Sequence, residues 1–152
     1  MVTIANKDAR GKYSNAQTGA FLMTHPEKFA GHETPVYKSK LEYCFMRYAD
    51  TNPAIIQWGY ETTNIKYLDL SSNPAKVRRY YIDFVCKVKI GDVIKTVWVE
   101  IKPFCETHKP RANANPKTLL TWVKNSCKWK AATLLAKSKG YEFKILTEKE
   151  LE

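Results

Sequence analysis

Little in this 152-residue chain breaks or staples a backbone: it has 6 Gly, 7 Pro and 4 Cys. So few glycines and prolines exclude a collagen-like or low-complexity chain. Cys44, Cys86, Cys105 and Cys127 are spaced 42, 19 and 22 residues apart, so no CxxC pair exists for a zinc knuckle. Cys105 and His108 form one CxxH that lacks two further ligands, and the thiols read as small core residues in a reducing compartment. His25 and His32 read as loop residues. No stretch approaches 18 uncharged apolar residues, and the first 30 carry polar and charged positions where a signal peptide needs an apolar run. The expectation is a soluble chain that is not secreted and has no membrane partner.

Acid is the scarce charge. Against 25 Lys plus Arg stand 15 Asp plus Glu, a net charge of +10, and that excess favours a polyanionic partner through counterion release. What is plentiful is apolar: 44% hydrophobic and 12% aromatic residues. A chain of this length buries roughly 70% of its unfolded surface in one core without metal or disulfides.

Residues 1–36 have no periodicity and are interrupted by Gly11, Gly19, Pro26, Gly31 and Pro35. They read as an irregular arm, yet Phe21, Leu22, Met23 and Phe29 make it too apolar for a linker, so it is expected to lie on the domain or on a partner. Residues 37–152 are expected to form one domain. Leu41, Cys44, Phe45, Tyr48 and Ala49 mark one face of a helix that ends before Asn52-Pro53. Strands are expected over 54–60 and 65–68, then over 79–89 and 93–102 around Gly91-Asp92, a two-residue hairpin signal. A helix over 117–139 is ended by Gly140, with apolar positions Leu120, Val123, Cys127, Ala131, Leu134 and Leu135 and a lysine stripe of Lys117, Lys124 and Lys128. A strand over 141–146 and a capping box at Thr147–Glu150 complete the chain. The order implies an α/β (α+β) sandwich with a mixed sheet.

With Gly91 and Asp92 as the loop, every cross-strand pair sums to 183. One face then pairs Ile82 with Ile101, Phe84 with Val99, Cys86 with Val97, Val88 with Lys95 and Ile90 with Val93, an almost wholly apolar set. The other pairs Tyr81 with Lys102, Asp83 with Glu100, Val85 with Trp98 and Lys87 with Thr96. Two carboxylates about 5 Å apart repel by about 3 kcal/mol at an effective dielectric of about 20. A shared proton or a hard divalent cation relieves this. Oxygen ligands suit Mg2+, with Mn2+ able to substitute, and Lys102 is then positioned to hold or deprotonate a water and offset phosphorane-like charge. Glu142-Phe-Lys144 repeats the E-x-K spacing without an Asp partner. Ser39-x-x-Glu42 is a capping box, which by itself accounts for Glu42. Glu61 either approaches the site or faces water.

Glu42 on the first helix, Tyr81-Ile-Asp83-Phe84 and Glu100-Ile-Lys102-Pro103 resemble the PD-(D/E)XK nuclease superfamily, in particular its TnsA-like branch, over about residues 37–152. Ile82 stands where the motif has Pro. The resemblance implies a restriction-endonuclease-like core, with Asp83 and Glu100 as metal ligands, Lys102 as the catalytic lysine and Glu42 as an accessory carboxylate near the metal. Size and the arm, Lys12-Tyr-Ser-Asn15 through Gly19-Ala-Phe-Leu-Met-Thr-His-Pro26, are similar to the small head-completion nucleases of tailed bacteriophages. That implies DNA endonuclease action after packaging, in the host cytoplasm or virion, with head or portal-vertex proteins as partners. The alternatives are a structural head component with a vestigial nuclease fold and a nuclease of transposition or repair. Arg78 and Arg79 before the Asp83 strand, and Lys109, Arg111 and Lys117 after the Lys102 strand, are the expected DNA-phosphate contacts. No base-reading element is present.

Overall fold

The computed structural model of the chain describes residues 18–152, so Lys12–Asn15 lie outside the described residues. The described part opens with β1 (Gly19–Ala20) pairing antiparallel with β2 (Val36–Tyr37). Helix α1 (Lys40–Thr51) starts where the Ser39 hydroxyl accepts the Glu42 N–H at 3.1 Å, satisfying a first-turn donor. Its buried stripe is Leu41, Phe45, Met46 and Ala49, the expected face with Met46 in place of the exposed Tyr48.

Then follow β3 (Ile55–Tyr60), β4 (Asn64–Asp69), β5 (Lys76–Tyr81), β6 (Phe84–Ile90), β7 (Val93–Ile101), helix α2 (Pro116–Ser138), β8 (Glu142–Leu146) and the short α3 (Glu148–Leu151). The main sheet runs β3-β6-β7-β8, antiparallel except for the parallel β7/β8 pair that brackets α2. It is the expected mixed sheet. β4 and β5 form a separate two-stranded ribbon. The β6–β7 pairs from Phe84–Val99 to Ile90–Val93 all follow the register set by the two-residue turn, with Gly91 taking the positive φ (60°) the turn requires.

Three expectations are corrected. The run over 79–89 is not one strand: the chain leaves the ribbon at Tyr81, whose partner is Asn64, and joins the main sheet at Phe84. The pairs Tyr81–Lys102 and Ile82–Ile101 therefore do not form. The Lys102 N–H bonds the Leu146 carbonyl at 3.1 Å, the Ile82 N–H bonds the Thr63 carbonyl at 3.0 Å, and Ile82 packs in the cluster of Trp98 and Trp129. The sheet does not have its core on one face only. Phe84, Cys86, Val97, Val99 and Ile101 pack under α1 in one cluster, while Trp98 packs with α2 residues on the other side. On α2, Leu120, Val123, Leu134 and Leu135 are exposed, whereas Asn125, Trp129, Ala132 and Ala136 are buried. Small alanines let the helix approach the sheet closely, so its aliphatic residues are the ones that face out.

Of the arm, the described residues pack on the first cluster through Phe21, with Met23 and Phe29 against it. The buried Asp50 carboxylate accepts the Thr24 and His25 N–H groups at 2.8 and 2.9 Å. Lys28 donates to the carbonyls of Ala49, Asp50 and Asn52, satisfying orphan acceptors at the end of α1. Cys86 is a core residue as expected, but Cys105 is exposed.

Candidate active site

The break at Ile82-Asp83 is what builds the site. It lets β5 turn towards α2 while Asp83, immediately before β6 and one residue outside the Phe84–Val99 end of the paired register, brings its side chain to Glu100 near the end of β7. Asp83 Oδ2 accepts the Ile101 N–H at 2.9 Å, which aims its carboxyl at the neighbouring strand. Glu100 is 5% exposed, and its Oε2 accepts the Tyr80 hydroxyl. The two carboxyl groups face each other closely enough to titrate as one pair. Burial, then the Glu100 charge, push Asp83 up to about 8, and burial raises Glu100. This is the shared-proton solution to two opposed acids. Lys102 Nζ lies 3.9 Å from Glu100 Oε1.

Glu42 arrives from the first turn of α1. Its carboxylate accepts the Lys38 N–H at 2.6 Å and the Tyr60 hydroxyl at 3.3 Å, so it does more than cap the helix. Burial raises its affinity for a proton and the Asp83 charge adds to that, as expected for groups on one side of the sheet. Glu61 sits at the rim, its Oε1 3.0 Å from Lys38 Nζ. It takes a left-handed backbone (φ 53°), a strain of order 1 kcal/mol, while its N–H bonds the Asp83 carbonyl at 2.9 Å. A cavity of about 450 Å³ opens here, lined by Lys38, Glu42, Ile101, Lys102, Pro103 and Glu106. By contrast, Glu142 of the second E-x-K is paired with Lys95 and, at 3.5 Å, with Lys144, and it is held below the usual carboxylate range by these cations.

The TnsA-like endonuclease N-terminal family model matches residues 52–148, a span that holds Asp83, Glu100 and Lys102. The chain belongs to this family. It is also 36% identical over 143 residues to the head completion nuclease of Enterobacteria phage T4, covering 88% of this chain and 92% of that protein.

The TnsA-like domain offers a cation oxygen only. Among the described residues no group of three or more His, Cys, Asp or Glu is arranged as a ready metal shell, so Glu42 does not complete one with Asp83 and Glu100. Two carboxyls sharing one proton fit a hard divalent ion, which takes one or two carboxylates and completes its shell with water and phosphate. Because the folded pair keeps a proton to about 8 while an unfolded Asp releases it near 4, the unfolded chain gains more from rising pH across that window. Stability of the metal-free protein is therefore expected to fall between pH 5 and 8. Thermal melts in EDTA check this: the midpoint drops for the wild type and drops less for Asp83→Asn, and equal pH profiles would contradict it.

Two residues beside the pair were not visible in the sequence pattern. Tyr80 reaches Glu100 from the ribbon. Lys128, half-buried on α2, has its Nζ 5.4 Å from the Tyr80 ring centroid and 6.0 Å from that of Tyr67, and its charge faces Glu100 and Asp83. The available signal was a lysine three and four residues from the buried Asn125 and Ala132. The expected DNA contacts do not form one cluster. Arg78 Nε bonds buried Asp69 at 2.7 Å, and Arg79 bonds Asn64 at 2.8 Å from the opposite face of the ribbon. Lys109, Arg111 and Lys117 are exposed, the first two on the loop before α2 and the last in its first turn.

Proposed function

We propose that this TnsA-like endonuclease is a magnesium-dependent DNA endonuclease that hydrolyses phosphodiester bonds during phage head completion. The observation that carries the reading is the pair of acids, Asp83 held by the Ile101 N–H and buried Glu100 by the Tyr80 hydroxyl, with Lys102 Nζ 3.9 Å from Glu100, because two opposed carboxylates are relieved by a divalent cation. The relative named above, similar over nearly its whole length, supports the biological setting. Head or portal-vertex proteins are the proposed partners, and host cytoplasm or virion the proposed location. Among the described residues no helix is long and apolar enough to cross a membrane. We take residues 37–152 as the catalytic unit and 1–36 as an arm, whose described part packs on it.

Asp83 and Glu100 would hold the ion, which when bound supplies a Lewis acid for the phosphoryl oxygen and an acidified water. The Ile101 N–H and the Tyr80 hydroxyl orient these two acids. Lys102 donates to the attacking water or to a phosphate oxygen and offsets the charge that develops there. Glu42, steadied by Tyr60 and the Lys38 N–H, accepts a hydrogen bond from water entering the cavity. Arg79, Lys109 and Arg111 supply phosphate contacts that hold duplex near the site without reading sequence.

Supercoiled plasmid incubated with the full chain tests this. Relaxed or linear DNA is expected with Mg2+ or Mn2+ and none with EDTA. Cutting that persists in EDTA removes the metal from the account, and heads that bind the protein while DNA stays intact favour a structural head component.

A further inference from the structure

Outside the carboxylate pair, three cations converge on one feature. Arg78, Lys117 and Lys124 line a cleft of about 440 Å³ between the β4–β5 ribbon and the first turns of α2, and Ser71, Ser72 and Thr121 add hydroxyls to its walls. At its base lies Asp69, 1% exposed. Asp69 accepts the Ser71 N–H at 2.9 Å and Arg78 Nε at 2.7 Å, with Lys124 Nζ at 3.8 Å. The Arg78 guanidinium is held a second time by the Ser72 hydroxyl at 3.0 Å.

Asp69 therefore pairs with two of the three bases, Arg78 and Lys124, and the cleft keeps two positive charges over. Asp69 is buried and already saturated by donors, so it organises the cations rather than competing for them. Gathering like charges around a polar cleft is unfavourable unless an anion enters. A forked guanidinium, two ammonium groups and the Ser72 and Thr121 hydroxyls suit a tetrahedral oxyanion with several acceptors, the Ser71 hydroxyl being given to Asp69 at 2.5 Å.

We propose that this cleft is a phosphate subsite, separate from the Asp83–Glu100 pair, that grips a backbone phosphate of DNA. The assignment to DNA rather than to free phosphate rests on the nuclease reading; the assignment of a phosphate does not. Lys124 and Lys128 lie four residues apart on α2, about 6 Å of rise. Lys128 faces Glu100, so the cleft lies close enough to the carboxylate pair to hold a phosphate near the bond that is cut.

The test uses the full chain in EDTA, so that binding is read without cutting. Anisotropy of a labelled duplex is followed over a range of salt for the wild type, for Lys117→Gln/Lys124→Gln, and for the charge-matched Lys130→Gln/Lys137→Gln on the exposed side and end of α2. The cleft variant is expected to bind at least about fivefold more weakly and to lower the slope of log affinity against log salt by about 1, the value for one neutralised phosphate. The control is expected to change the slope by much less. Equal effects of both variants would overturn the subsite as a mere loss of charge. Inorganic phosphate is the second probe: if it shifts the amide resonances of Ser71, Ser72 and Thr121 while the cleft variant binds DNA normally, the DNA assignment is overturned, and if neither effect is seen the subsite is. A protein that binds as expected yet never cuts with Mg2+ would sink the nuclease reading and leave the subsite standing.

Discussion

Replacing Lys102 by alanine is expected to slow plasmid cutting by at least about 10²-fold, and replacing Asp83 by asparagine to lower it further still. The reasoning separates the two. Lys102 is anchored through its own N–H to the Leu146 carbonyl, so its ammonium group is presented from a fixed backbone 3.9 Å from Glu100. Removing one such preorganised donor from a reacting centre characteristically loses 10²–10³ in rate. Asp83→Asn removes half of the charge that attracts the cation, and with it the activated water. The same change is expected to stabilise the metal-free protein at neutral pH, because folding no longer has to take up a proton that an unfolded Asp has released. An amide keeps the acceptor for the Ile101 N–H and gains a donor for Glu100. Loss of cutting together with a raised melting temperature is the expected pair of results. Lys102→Ala and Asp83→Asn proteins that cut at the wild-type rate would contradict the assignment of this site.

The second large effect is on the fold. Trp58→Ala is expected to cost about 3–5 kcal/mol in urea denaturation, a large part of the 5–15 kcal/mol a domain of this kind possesses. Trp58 is 0% exposed, and its ring centroid lies 4.7 Å from that of Phe29, 6.1 Å from Phe21 and 6.2 Å from Phe84. It therefore joins the described part of the arm to β3 and β6, and truncation empties the contact for all three. The indole N–H has no acceptor among the described residues, so Trp58→Phe, which keeps most of the ring, is expected to lose less than half as much. A Trp58→Ala protein within 1 kcal/mol of the wild type would show that this cluster does not hold the arm.

How much of this was legible before coordinates depends on how local each signal is. The β6–β7 register could be worked out because a two-residue turn leaves no freedom in pairing, and that alone brings Asp83 to Glu100. The helix limits followed from Ser39, Pro53 and Gly140, which act within a turn. Where the chain changes sheet at Ile82-Asp83, however, apolar alternation continues unbroken, since Tyr80 and Phe84 are both buried, one under α2 and the other under α1. Composition could not reveal that α2 turns Trp129, Ala132 and Ala136 inward in preference to its leucines, because which stripe is covered depends on how near the sheet lies. Tyr80 lies three residues before Asp83 but across the break between the sheets, and Lys128 lies 28 residues beyond Glu100, so no spacing rule points to them. Arg78 was legible as a cation near the site but not as the partner of Asp69, nine residues earlier across the ribbon.

The central claim is that Asp83 and Glu100 trade their shared proton for a divalent ion. Melting temperature measured at pH 8 against increasing Mg2+ or Mn2+, for the wild type and Asp83→Asn in parallel, tests it most directly. Ligand binding to the folded state alone adds about 2.7 kcal/mol at a hundredfold excess over Kd, so the wild type is expected to rise by several degrees while the variant stays level. If both rise together, or if neither moves, the two acids are not a cation site.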